Sequence, residues 1–370
     1  MFLMTNLRNV FQKYSNFLTR RHSTVSRNLP SRKSLIYSTL GVVGLGVGGA
    51  WYLMRPKSFG KSPTQIPINV TPSRSVTFAS DHRGLKLTLY QYQTCPFCCK
   101  VRAFLNYHGI SYNVVEVNPV LRQQIKFSDW KKVPIIIAED KTGVRQLNDS
   151  SMIISSLQTW LRDCGQSLDD IIPNYTALKY KNDKGQEISE IVNRYFVMFG
   201  EMPLDQTQHK YLALERKWRM WADDVLVHTI SPNIYRSFNE SLDSFRWFSE
   251  VGNWKEYFNS FERYFVIYLG AAAMYFIGQR LKKRHGLKND VRESLYDACR
   301  EWMREVGRKP FRGGLTPDLS DLAVFGVLNS MEGLQAFEDA KAKTKIGEWY
   351  DRMQYEINSN NQTATAISTV

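Results

Sequence analysis

The chain has 370 residues, of which 43% are hydrophobic and 13% aromatic, enough for about two domains with substantial cores. Its formal net charge of +14 is concentrated at the start. Residues 1–80 contain eleven Lys and Arg and no acidic side chain, so residues 81–370 carry only the remaining +3. This near balance predicts no basic groove for nucleic acid. Five cysteines without framework spacing argue against a disulfide scaffold and indicate a reducing compartment or a membrane face.

Residues 1–33 have the composition of a targeting segment. They contain seven basic side chains and no acidic one. Their apolar residues recur at the spacing that places them on one face of a helix. This amphipathic, arginine-rich pattern is typical of a mitochondrial transit peptide. The alternative is a disordered basic tail.

A membrane-spanning helix is predicted over residues 34–54. This segment has no charged side chain, and 21 residues are enough to cross a hydrocarbon core of about 30 Å. Its Gly-x-Gly-x-x-Gly string follows no strand pattern, which excludes a nucleotide-binding loop. We therefore expect a single-pass protein anchored in the mitochondrial or the Golgi membrane. Residues 55–83, rich in Pro, Ser and Thr, are predicted to form a flexible tether.

A strand pattern, a Cys-Pro-Phe-Cys motif and a helix pattern follow one another in residues 85–101. Pro96 suits the first turn of a helix, so Cys95 should lie at the helix N-terminus, where free amides and the helix dipole favour a thiolate. This is the thioredoxin-like arrangement of Cys95 and Cys98. Half of a zinc site or two inert cysteines are the alternatives; the sequence lacks a second ligand pair, so no metal site is expected.

The first globular unit is predicted over residues 84–165. After the cysteine helix the pattern indicates a strand, a helix, two more strands and a final helix. Asp149 and Ser150 lie at the start of that last helix. The intervening elements are predicted over Ser111–Val117 (strand), Pro119–Phe127 (helix), Val133–Ile137 (strand) and Val144–Leu147 (strand). The order β-α-β-α-β-β-α is that of the thioredoxin fold.

The second unit, residues 175–360, is predicted to be mostly helical. One helix should end before Ser231-Pro232, and a charge-free stretch of sixteen residues is too short to span a membrane, which favours a buried core or partner helix. These two helices are predicted over Tyr211–His228 and Tyr264–Gln279. Asp318 and Asp321 should form a variant of the capping box at a later helix start.

Together the two units resemble a glutathione transferase. Within that superfamily, the chain is most similar to the membrane-associated prostaglandin E synthase family. The matching strings are Gln91–Cys98, Lys132–Ile135, Gln146–Ser151, Trp221–Asp224, His228–Asn233 and Gly270–Tyr275. The resemblance covers residues 84–352 and implies an α/β thioredoxin-like domain followed by an all-α domain like the C-terminal domain of glutathione transferases.

The resemblance implies an isomerase that opens prostaglandin H2, a lipid endoperoxide, to prostaglandin E2. A Cys95 thiolate would attack the weak O–O bond. Tyr92 would orient the thiol or the leaving oxygen, and Phe97 would form a wall of the substrate pocket. Cys98 has an open role, because an isomerisation does not require a second thiol.

The resemblance also implies a glutathione site. The backbone of Val133, beside a cis Pro134, would pair with the cysteinyl part of glutathione, and Asp149 and Ser150 would hold its γ-glutamyl end. Family members can bind haem beside glutathione. His228 is the residue that could contact haem here, although a structural hydrogen bond is the more common role of such a histidine. A homodimer is also expected.

Two other functions are compatible with the same residues. One is a glutathione-dependent thiol–disulfide oxidoreductase, for which Cys-Pro-Phe-Cys is at least as typical as for an isomerase. The other is a membrane-tethered module that binds glutathione or haem without catalysis. The fold alone does not choose among the three functions.

Overall fold

The computed structural model describes residues 70–119, 121–163, 166–181, 185, 187–199, 204–361 and 364–367. The predicted targeting segment, the predicted spanning helix at 34–54 and most of the predicted tether lie outside these residues. Within them, no helix combines the length and the apolar character needed to cross a membrane. The predicted localisation, a single-pass anchor in the mitochondrial or the Golgi membrane, is therefore wrong.

The first part of the described chain and its last strand, β8 (Ala364–Ile367), form a mixed sheet of six strands. The strands lie in the order β5-β4-β2-β3-β1-β8; β2 and β3 are parallel, and every other neighbouring pair is antiparallel. The strands are β1 (Arg74–Phe78), β2 (Lys86–Gln91), β3 (Tyr112–Glu116), β4 (Ile135–Asp140), β5 (Gly143–Asn148) and β8 (Ala364–Ile367). Strand β1 therefore lies within the range predicted to be a tether.

The alternation of side chains along β2 gives the sheet two apolar faces. Successive side chains of a strand point to opposite sides. Leu87 and Leu89 thus join the main core, which also contains Phe104 of helix α1, whereas Tyr90 joins a smaller cluster with Ile135. The helices on the sheet are α1 (Pro96–Tyr107), α2 (Ser150–Arg162) and the short α3 (Leu168–Ile171).

The rest of the chain is helical apart from one hairpin. The elements are β6 (Ala177–Lys181), β7 (Glu187–Ile191), α4 (Gln206–Trp221), a π-helical turn (Ala222–Leu226), α5 (Val227–Ile234), α6 (Phe238–Val251), α7 (Trp254–Tyr257), α8 (Ser260–Arg284), α9 (Val291–Val306), α10 (Leu319–Asn329), α11 (Gln335–Lys343) and α12 (Ile346–Asn361). Trp302 is fully buried at the centre of this region, and its ring contacts those of Trp218, Trp221 and Trp349 at 5.4–6.3 Å. The described chain thus consists of an α/β sheet region followed by a helical region, in the order predicted from the sequence.

A buried ion pair joins the sheet region to the helical region. Lys100 of α1 is 1% exposed and donates to Asp223 in the π-helical turn. The second oxygen of Asp223 accepts from the hydroxyls of Ser151 at 2.7 Å and Tyr195 at 2.9 Å. Burial alone would raise the pKa of Asp223, but the charge and hydrogen bond of Lys100 outweigh it and lower this pKa. The carboxylate therefore stays ionised inside the protein.

Arg219 strengthens the same junction from helix α4. Its guanidinium is buried and donates to Ser155 Oγ at 2.7 Å, to the Ser151 carbonyl at 3.2 Å and to the Tyr195 carbonyl at 2.9 Å. Ser151 and Ser155 belong to helix α2, which packs on the sheet. Arg219 consequently links the two regions through neutral acceptors, beside the ion pair.

The predicted helix Pro119–Phe127 is wrong. Only Gln123–Ile125 form a short 3-10 turn. The preceding residue, Arg122, is left-handed with φ 49°, and the side chain of Asn118 accepts from the amide of Leu121 at 2.9 Å. Such local side-chain bonds compete with helical hydrogen bonding, so the proline start is not followed by a helix.

Two helices differ from their predicted extents. The helix that was expected to end before Ser231-Pro232 passes through Pro232 and ends at Ile234, following the π-helical turn. Helix α8 contains the charge-free stretch, but it buries only one face, through Val266, Ile267 and Ala271. A wholly buried core helix is therefore wrong at this position, and the partner-helix alternative stays a prediction.

Replacing Gly326 by Ala should destabilise the fold by about 1–3 kcal/mol, the usual cost of overpacking. A Cβ at Gly326 in α10 would lie 2.4 Å from the Cα of Lys100 in α1, so one backbone must move. Urea unfolding followed by tryptophan fluorescence measures the change. In the control variant Gly347→Ala, the new methyl group comes no closer than 3.4 Å to Lys341, and stability should be unchanged or slightly higher. Equal stability of the two variants would contradict this account of the α1–α10 contact.

Candidate active site at the start of helix α1

Three loops that contain predicted site residues lie at one edge of the sheet. Tyr90 in β2 pairs with Ile135 in β4, and Ile135 pairs with Asn148 in β5. Since both pairs are antiparallel, the end of β2, the start of β4 and the end of β5 meet at this edge. The loops that follow β2, precede β4 and follow β5 contain Cys95, Val133–Pro134 and Asp149–Ser150, respectively. The Val133–Pro134 peptide bond is cis.

Cys95 is the residue that immediately precedes helix α1. Pro96 occupies the first helical turn, the amide of Cys95 donates to the Tyr92 carbonyl at 3.1 Å, and its carbonyl accepts from Cys99 at 2.8 Å. Cys95 is half-buried, whereas Cys98, one turn further along, is buried. A reagent can therefore reach Cys95 more easily than Cys98.

The two cysteines have pKa values displaced in opposite directions. The Cys98 thiol donates a hydrogen bond to Cys95 and, with the amides of Cys98 and Phe97, lowers the pKa of Cys95 to about 7 despite its burial. Burial raises the pKa of Cys98 well above its ordinary value, and the neighbouring Cys95 raises it further. At pH 7 about half of Cys95 is therefore thiolate, whereas Cys98 stays a neutral thiol.

Arg102 provides positive charge from within the helix. Its guanidinium donates to the Gln93 carbonyl at 2.6 Å and to Cys99 Sγ at 3.1 Å, and its charge contributes to the lowered pKa of Cys95. Burial raises the pKa of Cys99 to about 11, so this third cysteine remains a thiol. Lys100, two positions earlier in the same helix, pairs with Asp223 instead.

Tyr92 and Phe97 lie on either side of Cys95 in the sequence, and both are half-buried. Burial raises the pKa of Tyr92 to about 12, although Arg122 acts in the opposite direction. Its phenol is therefore neutral at pH 7 and able to donate a proton. The ring of Phe97 packs against the main core and lies 5.4 Å from the Lys100 ammonium.

Asp149 begins helix α2 with a left-handed backbone, φ 69°. One carboxylate oxygen accepts from the amides of Ser151 at 2.9 Å and Met152 at 3.2 Å, and the other lies 3.8 Å from Arg194. Ser150 is buried. Sequence reasoning missed Arg194 and Arg122, because each approaches the site from a loop that is distant in the sequence.

His228 lies on helix α5, outside the three loops. Its ring stacks on that of His285, with 3.9 Å between the ring centroids. Burial, helped by Arg284, lowers the pKa of His228 below its usual value. Within the described residues, no group of three or more His, Cys, Asp or Glu side chains could hold a metal ion.

Comparison with known proteins identifies the family. Residues 87–142 match the glutaredoxin family. Prostaglandin E synthase 2 of Mus musculus is 46% identical over 321 residues, which cover 86% of this chain and 81% of that protein. The chain belongs to the prostaglandin E synthase 2 family. The prostaglandin E synthase 2 of Danio rerio is 50% identical over 273 residues, covering 73% of this chain and 71% of that protein.

Among solved structures, the chain is similar to glutathione transferase F7 of Populus trichocarpa. The identity is 11%, the match covers 75% of this chain and 98% of that one, and the TM-score is 0.43. The resemblance to the prostaglandin E synthase family drawn from the sequence strings is confirmed by the two curated relatives.

Replacing Cys98 by Ala should raise the pKa of Cys95 from about 7 towards the 9.0 of an ordinary thiol, because the variant lacks the donor to the thiolate. Cys98→Ser retains a hydroxyl donor, so a smaller increase is expected. The pH dependence of Cys95 alkylation by iodoacetamide, followed on the Cys95 peptide by mass spectrometry, gives both values. The same midpoint in wild-type protein and in Cys98→Ala would show that Cys98 does not stabilise the thiolate.

Proposed function

We propose that the protein is a prostaglandin E synthase that isomerises prostaglandin H2, or a similar lipid endoperoxide, with Cys95 as the nucleophile. The main observation in favour of this proposal is that the two cysteines differ. Cys95 is accessible and has a pKa of about 7, whereas Cys98 beside it is a buried, neutral thiol. The family membership supports the same activity, because both curated relatives are named for it.

In the first step, the Cys95 thiolate attacks the endoperoxide oxygen on C9. An S–O bond forms and the O–O bond breaks, and the electron pair of the O–O bond goes to the oxygen on C11. That oxygen takes up a proton and becomes the 11-hydroxyl group. The reaction is favourable because the O–O bond is weak and the thiolate is a strong nucleophile.

In the second step, a base removes the proton from C9. The C–H electron pair becomes the second bond of the C9 carbonyl, the S–O bond breaks, and its electron pair returns to Cys95. One proton is taken up and one is released, so the change is an isomerisation and the thiolate is regenerated without an external reductant.

Tyr92 and Cys98 are the neighbouring groups that could supply the proton for the C11 oxygen. Both are protonated at neutral pH, since burial raises the pKa of each. Cys98 already donates to Cys95, so its proton is directed at the reacting sulfur. In this proposal Cys98 assists as a hydrogen-bond donor, and Tyr92 orients the leaving oxygen.

Glutathione is proposed to bind along the three loops at the sheet edge. The side chains and backbone groups of these loops could bind both the γ-glutamyl and the cysteinyl unit of glutathione. The carboxylate of Asp149, bonded to two amides and facing Arg194, could accept from the γ-glutamyl amino group, while the Arg194 guanidinium suits the γ-glutamyl carboxylate. The backbone of Val133, next to the cis peptide, would pair with the cysteinyl unit, and Ser150 would contribute from the first turn of α2.

Haem binding stays a prediction. The structure adds one relevant fact, that His228 has a lowered pKa because of burial and is therefore neutral at pH 7, the form in which imidazole binds iron. Its ring is already stacked on His285. No step of the proposed reaction depends on haem.

A thiol–disulfide oxidoreductase acting with glutathione is the second candidate function. It is favoured by the hydrogen bond between Cys98 and Cys95, since a dithiol mechanism needs the two sulfur atoms in contact. The two candidates differ in the need for Cys98. An isomerase needs one thiolate, whereas intramolecular disulfide formation needs both cysteines.

We predict that Cys95→Ser abolishes the conversion of prostaglandin H2 to prostaglandin E2, and that Cys98→Ser keeps most of it because a hydroxyl donor remains. Product formation is measured by mass spectrometry, and each variant is also assayed on a mixed disulfide of glutathione. The control Cys299→Ser, at a buried cysteine in the helical region, should leave both activities unchanged. Disulfide turnover without prostaglandin E2 in wild-type protein would reject the isomerase and favour the oxidoreductase.

The variant Asp149→Asn should weaken glutathione binding by at least about tenfold, because a charge-assisted hydrogen bond contributes about 1.5–3 kcal/mol. Asn keeps an acceptor oxygen for the start of α2 and tolerates the left-handed backbone. Isothermal titration calorimetry measures the dissociation constant. Asp290→Asn, at the start of α9, is the control and should bind glutathione like wild type. A dissociation constant that is unchanged in Asp149→Asn would remove this carboxylate from the site.

We also propose a homodimer formed through helix α8. One face of this helix exposes six large apolar side chains, each 46–79% accessible: Phe261, Tyr264, Phe265, Tyr268, Leu269 and Phe276. At about 200 Å² for each side chain, the accessible part amounts to roughly 700 Å². A stable interface buries about 800 Å² on each partner, so a second copy of this face matches the area.

The double variant Phe261→Ser/Phe276→Ser should shift the protein from dimer to monomer, because it removes the two most exposed rings of the α8 face. Light scattering coupled to gel filtration measures the mass. Tyr355→Ser is the control, since Tyr355 is 72% exposed on helix α12, and it should leave the dimer intact. A wild-type monomer at micromolar concentration would contradict the proposal.

A further inference from the structure

A cavity of about 620 Å³ lies at the far end of helix α1 from Cys95. Tyr107 and His108, at the end of the helix, are among its lining residues. Twelve helical residues rise about 18 Å, so this cavity is separate from the candidate active site. Its volume is within the range of small-molecule sites, about 300–1,000 Å³.

Glu215 of helix α4 lines this cavity and is 6% exposed. Its carboxyl group has no hydrogen bond or ion pair with a described residue, in contrast to the other buried charged groups at the junction. A buried carboxyl without a partner is costly, so such groups are normally paired. A group that donates to the Glu215 carboxyl would therefore have to come from inside the cavity.

The three arginines whose charges act on Glu215 already have other partners. Arg219 donates to three oxygens at the junction of the two regions, and Arg312 pairs with Asp318. The guanidinium of Arg216 stacks on the ring of Phe196 at 4.3 Å. Burial accordingly prevails at Glu215 and raises its pKa to about 7, although the three arginines act in the opposite direction.

The rest of the wall is mostly apolar, and its two other charged residues are engaged elsewhere: Arg162 stacks on the ring of Phe199 at 4.0 Å, and Asp318 pairs with Arg312. Leucines from α4 and α10 form the apolar part, and Gln158 adds an amide. On the α1 side, the Nε2 atom of His108 is buried without a hydrogen-bond partner. Burial lowers the pKa of His108 to about 4, so this ring is neutral at pH 7 and can accept a hydrogen bond. The apolar lining residues are Val197, Leu204, Leu212, Leu319 and Leu322.

We propose that this cavity is a second binding site, for an aliphatic amine whose ammonium group pairs with Glu215 and whose hydrocarbon chain lies against the leucines. An ammonium group supplies both the charge and the donors that the Glu215 carboxyl lacks. The proposal does not depend on the reaction at Cys95, because it rests on different residues.

The test compares three probes with the same twelve-carbon chain, dodecylamine, 1-dodecanol and dodecanoate, below their micelle concentrations. Binding to the wild-type protein is measured by tryptophan fluorescence. The amine should bind at least about tenfold more tightly than the alcohol, and dodecanoate should bind most weakly. Equal affinity for the three probes, or no binding of the amine up to its solubility limit, would overturn the proposal.

The variant Glu215→Gln has the same shape without the charge. It should bind dodecylamine at least about tenfold more weakly and 1-dodecanol as before, and the unchanged alcohol binding shows that the cavity is still folded. The control Glu305→Gln, a glutamate outside the cavity lining, should bind both probes like wild type. Unchanged amine affinity in Glu215→Gln would also overturn the proposal. The alkylation rate of Cys95 should not respond to dodecylamine, which separates this site from the candidate active site.

Discussion

The buried pair of Lys100 and Asp223 is the interaction on which the arrangement of the two regions depends. Removing two charges from water costs several kcal/mol for each ion, and the cost is offset only when their remaining hydrogen-bonding positions are satisfied. Ser151 and Tyr195 satisfy the second oxygen of Asp223, and Ser151 also accepts from Lys100 at 3.2 Å. The pair therefore requires α1, α2 and the π-helical turn to meet in one geometry.

This ion pair positions helix α1, but Lys100 is then not available to stabilise the negative charge of the Cys95 thiolate. Lys100 is five residues from Cys95, but Asp223 neutralises its charge. The thiolate at Cys95 is stabilised instead by the Cys98 thiol, two backbone amides and Arg102. The close approach of Gly326 to Lys100 holds the same helix from the side of α10. The nucleophile is thus attached to a helix that is fixed on two sides, as pre-organised sites require.

The local pattern of the sequence predicted most strands of the sheet, because alternation and β-branched residues report directly on a half-buried strand. It did not predict β1 and β8, whose pairing joins Arg74–Phe78 to Ala364–Ile367, nearly the whole chain apart. The helix predicted from Pro119 failed for a local reason, the side-chain bonds of Asn118. For the candidate site, short strings were enough to propose Cys95, Cys98, Tyr92, Phe97, Val133, Pro134, Asp149 and Ser150, whereas Arg122 and Arg194 could not be proposed from the sequence.

The sequence by itself determined the thioredoxin-like order of elements and the position of Cys95 at a helix start, because hydrophobic periodicity and a proline in the first turn act over a few residues. Only the tertiary structure decided that the Cys98 thiol donates the hydrogen bond that lowers the pKa of Cys95, since that depends on the direction of one hydrogen bond and on burial. It also decided that Lys100 serves the junction and that Glu215 faces a cavity. Partners distant in the sequence meet only after folding, and the free energy of a charge is set by those partners.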